Sequence, residues 1–255
     1  MLDSTTPIIT TFDEADNIER TLHPLRWARD IVVIDSGSQD DTLDIVSRYP
    51  NARVVQRAFD SHAEQWNFAI NETDIQTEWV LALDADHVAT EEFVQELASL
   101  TPDETVSGYR VAFKYCVLGH ELRGSLYPPL ISLYRRKRAY YVQQGHAHRL
   151  TIEGEVLPLE SCLLHDDRKP FARWLEAQNR YMRLEAELIG KSPWLKLSRT
   201  NRIRKFIVLA PFLTPVWCLI VKKAIFDGVP GFYYSIQRMM AELILSYHLI
   251  FRIFR

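Results

Sequence analysis

The feature that most restricts the fold is an alternation within the N-terminal part of the chain. Short apolar runs, each closed by a knot of polar residues, take turns with segments of helical periodicity. Pro7–Phe12 reads as a strand and Glu14–Arg26 as a helix; Ile31–Asp35 and Gln39–Arg48 repeat the pair. Arg53–Gln56, Ser61–Asn71, Trp79–Leu83 and Glu91–Leu100 continue the pattern. Strands alternating with helices of this length predict βαβ units, that is, an α/β fold with a mostly parallel sheet and helices on both faces. The polar residues gather just after the strands, at Thr11–Glu14, Asp35–Asp41 and Asp84–His87, the rim where open α/β sheets bind ligands. From Thr105 to His165 the pattern turns strand-like and irregular, with Tyr109–Tyr115, Leu130–Tyr134, His148–Ile152 and Ser161–His165 as candidates and a loop from Lys114 to Leu130. Phe171–Ile189 is a strongly amphipathic helix with Pro170 at its opening, a favoured place for proline.

Charge is divided unevenly along the chain. Residues 1–110 hold 7 Lys/Arg against 22 Asp/Glu, and residues 111–255 hold 23 against 11. An acidic half suits a metal site, and a basic half suits phosphates or an anionic surface. No nucleic-acid-binding motif accompanies the basic half, and long apolar runs interrupt it, so nucleic acid is not an expected partner. Between Glu187 and Asp227 there is no acidic residue. That segment carries six Lys/Arg, then sixteen apolar or small residues (Phe206–Val221) broken by Pro211 and Pro215, then Lys222 and Lys223. Sixteen residues fall short of the roughly 20 that span a bilayer. A basic stretch leading into a short apolar helix predicts an interfacial, monotopic element on an anionic membrane surface; a helix buried on the domain or a dimer contact is the plainer alternative. With 255 residues, 47% apolar and 25% charged, the chain has room for one α/β domain and an appendage. The expected division is a domain at 1–190, itself in two halves at 1–104 and 105–190, followed by C-terminal helices at 191–255. Three widely spaced cysteines fit neither a zinc site nor a disulfide framework, and no basic-then-apolar leader opens the sequence, so a cytoplasmic, reducing setting is expected.

The chemistry centres on Leu81-Ala82-Leu83-Asp84-Ala85-Asp86, an apolar strand ending in Asp-x-Asp. Alternate residues of an extended segment point the same way, so both carboxylates can face one site. Two hard oxygen ligands beside a diphosphate suit Mg²⁺ or Mn²⁺. Two further knots stand in order before it: Thr11-Phe12-Asp13-Glu14, and Val33-Ile34-Asp35-Ser36-Gly37-Ser38-Gln39-Asp40-Asp41-Thr42. With these three motifs, residues 7–100 resemble the family 2 glycosyltransferases. The resemblance implies a GT-A fold, a nucleotide-sugar donor and an inverting transfer. It implies that Thr11 and Glu14 surround the nucleoside and that Asp35 accepts a hydrogen bond from the base, uracil N3–H. Asp84 would touch the ribose or metal, with Ala85 between the carboxylates, and Asp86 would be the direct metal ligand. Asp35, Ser38 and Asp40 also make a good helix-start signal, and capping is compatible with nucleotide contact; Asp13 and Asp16 read as simple caps.

Gln65-Trp66-Asn67-Phe68-Ala69 aligns with a family helix of the form basic-Asn-x-Ala. The resemblance gives Asn67 a place at the nucleotide-sugar. Trp66 stands where a basic residue would help hold the diphosphate, a role left to Arg57 or His62. Within the family the chain is similar to small lipopolysaccharide core glucosyltransferases at Tyr127-Pro128-Pro129, Ser132–Arg136, Gly145–Arg149 and Leu163–Asp167. His165 keeps its place there, which implies a third metal ligand or diphosphate contact. Arg149 stands where the relatives carry a glutamate suited to general-base work, and arginine cannot take a proton at neutral pH. Either His148 or His146 is then the base, or the acceptor is an ionised phosphate met by Arg149 and Arg135. Arg135–Arg138 otherwise reads as a solvated turn or lipid-facing patch, and Asp227-Gly228-x-x-Gly231 as a turn before the last helix, Phe232–Phe254. The resemblance therefore points to transfer from a UDP-sugar to a lipid-linked glycan in envelope or surface polysaccharide assembly, at the cytoplasmic face of the plasma membrane. A polyprenyl-phosphate acceptor and a non-catalytic nucleotide-sugar-binding subunit are the alternatives, and oligomerisation is left open.

Overall fold

The computed structural model describes residues 1–144 and 147–254, apart from the side chains of residues 144, 147, 148 and 253. The chain divides into two compact units, Met1–Cys116 with Tyr127–Arg168, and Val117–Leu126 with Lys169–Arg255.

The first unit is built from β1 (Thr5–Thr11), α1 (Ile18–Leu22), β2 (Ile31–Asp35), α2 (Thr42–Val46), β3 (Ala52–Gln56), α3 (His62–Asn71), β4 (Trp79–Asp84), β5 (His87–Ala89), α4 (Glu91–Ser99) and β6 (Val106–Val117). A two-residue strand, β7 (His120–Glu121), belongs to the second unit. Then come β8 (Leu130–Arg135), β9 (Ala139–Gln144), β10 (Ala147–Ile152) and β11 (Glu155–His165). The strands lie in the order β3-β2-β1-β4-β8-β6-β11-β5, and β9 and β10 form a separate hairpin. Pairing among β3, β2, β1 and β4 is parallel, as is β6 with β11; β8 runs antiparallel to both its neighbours.

The expected α/β architecture is therefore present, and its physical basis is visible in the burial. Ile31–Ile34 and Val80, Leu81 and Leu83 are fully buried because both sheet faces are covered, the condition under which parallel strands read as unbroken apolar runs. Side chains alternate between two cores. Ile9, Val33, Leu81 and Leu83 pack with Ile18, Leu22, Phe93 and Leu97 on one face. Ile8, Val32, Ile34 and Val80 pack with Trp66, Ile70, Tyr134 and Tyr141 on the other.

Three local expectations change. The helix expected over Glu14–Arg26 shortens to Ile18–Leu22 and a following 3₁₀ turn at His23–Leu25. The N–H groups of Asp13 and Glu14 are taken by Ser38 Oγ and Thr42 Oγ1 of the next loop, so they serve a loop-to-loop seam. Strand β9 was not expected; its exposed Tyr140 and Val142 give no alternation toward a core. The solvated turn expected at Arg135–Arg138 is in fact anchored. Arg135 is buried, donating to Val106 O and Asp103 O at 2.8 and 2.9 Å, pairing with Glu78 and lying 4.7 Å over the Trp79 ring. Arg136 caps Ile70 O at 2.9 Å, and Arg138 caps Glu104 O at 2.6 Å.

The second unit contains α5 (Phe171–Lys191), α6 (Arg199–Arg204), α7 (Leu209–Val216) and α8 (Gly228–Ile253). Its units divide at Arg168 rather than at residue 190, because α5 packs Met182, Ala186 and Ile189 on Leu245 and Leu249 of α8. Arg204 bridges the buried carboxylates of Glu185 and Glu242. The apolar run Phe206–Val221 is not one helix. Pro215 withholds an N–H from α7, the backbone widens into a π-helical stretch over Trp217–Val221, and Lys223 adopts φ 61°. Gly231 lies inside the first turns of α8, where an added Cβ would fall 1.8 Å from Ala224 O; close approach of backbones, rather than a turn, requires it. Among the described residues no single helix is long and apolar enough to cross a membrane.

Candidate active site

The carboxyl ends of β1, β2 and β4 meet at one rim. Thr11 pairs with Asp35 across β1 and β2, and Thr10 with Asp84 across β1 and β4. Thr10 Oγ1 donates to Asp84 Oδ1 at 3.0 Å, which steers the first carboxylate of the Asp-x-Asp turn. Thr21 Oγ1 donates to Ala85 O at 2.7 Å and holds the middle of that turn from below. Asp86 faces His165 Nε2, at the end of β11, at 3.2 Å, and Asp166 N–H donates to Asp86 O at 3.0 Å. Ligand atoms of Asp84, Asp86 and His87 all lie within 4.8 Å of one another. Asp84 is about half exposed while Asp86 is nearly buried, so the turn offers one carboxylate to the cleft and one to its floor.

Burial holds the His165 imidazole below its ordinary pKa, against the opposing pull of the Asp86 carboxylate. The neutral ring, which carries a lone pair for coordination, is thereby favoured. Its Nδ1 is buried without a hydrogen-bond partner. Two carboxylates converging with a neutral imidazole form a donor set that fits a divalent cation of the Mg²⁺ or Mn²⁺ kind. Around them His87, Phe113, Tyr115, Tyr127 and His165 pack ring against ring in tilted and edge-to-face arrangements, with centroids as close as 4.4 Å. Burial first, then the charges of Asp84 and Asp86, push the Tyr127 phenol well above its usual pKa and keep it protonated.

The neighbouring loop is self-supporting. Asp35 is fully buried, and its carboxylate accepts Gly37 N–H at 3.0 Å, Ser38 N–H at 3.2 Å and the Ser38 hydroxyl. Asp13 Oδ1 accepts Gln39 N–H at 2.7 Å, and Asp40 Oδ1 accepts Thr42 N–H at 3.0 Å. Glu14 accepts from Asn17, which also donates to Asp167 at 3.1 Å. Arg20 donates to Asp166 O at 2.6 Å. The loop after β1 is thus tied both to the loop after β2 and to the segment that follows His165.

Comparison with known proteins agrees with this geometry. The description Glycosyl transferase family 2 matches residues 6–149, more than half of the chain. The chain belongs to glycosyl transferase family 2. An uncharacterized glycosyltransferase of Rickettsia bellii is 30% identical over 102 residues, which are 40% of this chain and 34% of that protein. The match thus spans about a third of that relative's length. Among solved structures, S. aureus TarS 1–349 in complex with UDP-GlcNAc is similar over 99% of this chain and 91% of its own, with 16% identity and a TM-score of 0.50. Glucosyl-3-phosphoglycerate synthase from Mycobacterium tuberculosis, in complex with Mn²⁺, UDP and phosphoglyceric acid, covers 74% of this chain and 78% of its own at 17% identity and a TM-score of 0.48.

Within this family 2 fold, the structure places Thr11, Glu14, Asp35, Asp84, Ala85, Asp86 and His165 on or beside one rim. Arg57 joins them, its backbone N–H donating to Asp35 O at 2.9 Å. Its guanidinium is held by Asp60 and by Gln65 Oε1 at 2.7 Å. Asn67 is placed otherwise. Its amide donates to Tyr141 O at 2.9 Å and accepts Tyr141 N–H at 2.8 Å, so it pins the β9–β10 hairpin and does not face the rim. Trp66 is buried and stacks on Tyr141 at 5.6 Å. Arg135 is five residues of β4 away from Asp84 in register, at the Trp79 end, about 17 Å along the strand, and cannot meet an acceptor phosphate at the rim. Arg149 is exposed on β10, opposite Val142. The side chain of His148, and residue His146, lie outside the described residues. Sequence reasoning gave no role to Thr10, Thr21, Arg20, His87 or Tyr127; of these His87, in the polar knot after β4, and Tyr127, in the Tyr127-Pro128-Pro129 motif, carried a local signal.

Proposed function

We propose that this chain is an inverting, divalent-metal-dependent glycosyltransferase that moves a sugar from a UDP-sugar onto a lipid-linked glycan of the cell envelope. The observation that carries the reading is the pair of carboxylates of Asp84 and Asp86 at the end of β4, the second of them 3.2 Å from His165 Nε2, beside the seam between the β1 and β2 loops. A cation held there, Mn²⁺ or Mg²⁺, would neutralise charge on the departing diphosphate. Asp86 and His165 would hold it, and Asp84, steered by Thr10, would meet the metal or ribose. Thr11, Glu14 and the Asp35 loop would receive the nucleoside. TarS, which shares the fold, binds UDP-GlcNAc, and this supports a uridine nucleotide as the donor carrier.

The acceptor reading rests on the second unit. Leu195, Phe212, Ile220, Phe226 and Val229 are each more than 60% exposed, next to Lys196, Arg199, Arg202, Lys222 and Lys223 and without an acid between Glu187 and Asp227. Apolar side chains among basic ones suit insertion into an anionic interface, such as the cytoplasmic leaflet. Such a surface is where a lipid-linked acceptor would be met. His148 is the general base in this reading, with Arg149 beside it toward the acceptor. The test is conversion of UDP-sugars to UDP with Mn²⁺, Mg²⁺ or chelator, with and without a lipid-extract acceptor. Metal-dependent release of UDP supports the reading; a protein that binds UDP-sugars but never turns one over with any acceptor is a binding subunit instead.

A further inference from the structure

Geometry alone admits His87 as a third metal ligand, since its ring lies within reach of both Asp84 and Asp86. Its hydrogen bonds argue otherwise. The backbone N–H of Asp84 donates to His87 Nδ1 at 3.1 Å. A backbone N–H can only donate, so Nδ1 must be the accepting nitrogen. A neutral imidazole has one donor and one acceptor, which leaves the proton on Nε2. Nε2 lies 3.1 Å from the Tyr127 hydroxyl, and at 3.8 Å from each Asp carboxylate it is beyond hydrogen-bond range of both. In this tautomer neither nitrogen has a lone pair to give a cation: one is spent on Asp84 N–H, and the other carries hydrogen.

The ring is also fixed in place. Its side chain is almost wholly buried, with Phe113 at 4.7 Å and His165 at 5.3 Å between ring centroids. Its backbone is paired to His165 across β5 and β11. What the imidazole does hold is the turn itself. A bond from residue 84 N–H to the side chain of residue 87 closes Asp84-Ala85-Asp86, while Thr21 secures the carbonyl of Ala85.

We propose that His87 is a positioning residue that closes the Asp-x-Asp turn, and that the Tyr127 hydroxyl selects the tautomer in which it does so. His165 is then the imidazole of the metal set. This inference rests on the metal-dependent reading above. Partners of this kind, one step removed from the ligands, affect metal affinity by about 10–100-fold when lost.

The experiment uses the full chain with UDP and Mn²⁺, and reads two quantities that do not depend on turnover. Pulsed electron paramagnetic resonance detects ¹⁴N coupling from an imidazole coordinated to Mn²⁺, and calorimetry gives the Mn²⁺ affinity. Circular dichroism and thermal unfolding accompany every variant. His165→Ala should abolish the nitrogen coupling. His87→Ala and Tyr127→Phe should keep the coupling but weaken Mn²⁺ about tenfold or more, and His87→Gln, whose amide oxygen can accept the Asp84 N–H, should recover part of the loss. Tyr127→Phe keeps the ring, so it remains informative even where a His87 variant folds poorly. Coupling lost in His87→Gln would make His87 a ligand and overturn the inference. Unchanged Mn²⁺ affinity in Tyr127→Phe would overturn the tautomer role. A wild type that binds no Mn²⁺ with UDP overturns the metal reading itself, and this inference with it.

Discussion

Replacing Asp35 by alanine separates the two roles that its position combines. The carboxylate accepts two backbone N–H groups and one hydroxyl from residues 37 and 38, so Asp35→Ala leaves three donors without their acceptor. A buried orphan costs about 1–3 kcal/mol. Ser38 is only half-buried and Gly37 exposed, so water can re-satisfy part of the loss, and a net destabilisation of about 2–3 kcal/mol follows. For a chain of this size each kcal/mol lowers Tm by about 2–4 °C, which gives a fall of about 4–12 °C. Asp35→Asn retains one acceptor oxygen, and its shift should be smaller. UDP affinity measured by calorimetry should fall in both variants, because the same loop would receive the uracil. Thermal unfolding of Asp35→Ala within about 1 °C of wild type would refute the account of the loop. A normal Tm for Asp35→Asn together with undiminished preference for UDP over ADP would refute base readout by the carboxylate.

Asp86→Ala should remove the gain in UDP affinity that Mn²⁺ confers, with little change in Tm; calorimetry with and without metal decides it. Arg135→Ala should cost about 2–4 kcal/mol of stability through its orphaned carbonyls and lost contact with Trp79, while leaving the KM for the donor unchanged. The protein should float with anionic vesicles, with salt reducing but not abolishing binding. Phe212→Ser with Ile220→Ser should weaken that binding at least about tenfold, and a double variant that floats like wild type would remove these residues from the membrane surface. If His148 is the base, His148→Ala should slow turnover by about 10²–10⁴ at unchanged UDP affinity; if the acceptor is a phosphate, Arg149→Ala should instead raise its KM and His148→Ala should be mild.

The fold was largely legible because the parallel strands are buried on both faces. A run such as Ile31–Ile34 has few other structures open to it, and its end at Asp35 marks the rim. The hairpin was not legible for the opposite reason. Strand β9 carries Tyr140 and Val142 outward and is held by Tyr141, through Trp66, Tyr134 and Asn67, and by Gln143, which accepts Ala63 N–H, contacts that leave no period in the sequence. The same holds for the supports of the metal turn. Thr10 is 74 residues from Asp84, Thr21 is 64 from Ala85, and Arg20 is 146 from Asp166. Each is an ordinary residue until the chain has folded.

The misplaced residues share a different cause. Matching a motif reads residue type, whereas a helix decides which side each type faces. On α3 the buried positions include Ala63, Trp66 and Ile70, spaced three and four apart, so this stripe must face the core. Asn67, four residues after Ala63, lies beside that stripe and meets the hairpin backbone. Gln65 lies on another face and reaches Ser36 Oγ at 3.1 Å and Arg57. The helix thus addresses the rim through Gln65, not through the expected asparagine. It does so by holding Arg57, whose clamp on Asp60 lowers that carboxylate to about 2, chiefly through the hydrogen bonds between them. A diphosphate could recruit Arg57 only by displacing Asp60, exchanging one anion for another of higher charge. Asp60→Asn should therefore tighten UDP binding, while Gln65→Ala, which frees the guanidinium to wander, should weaken it; a calorimetric result with both unchanged would take Arg57 out of the donor site.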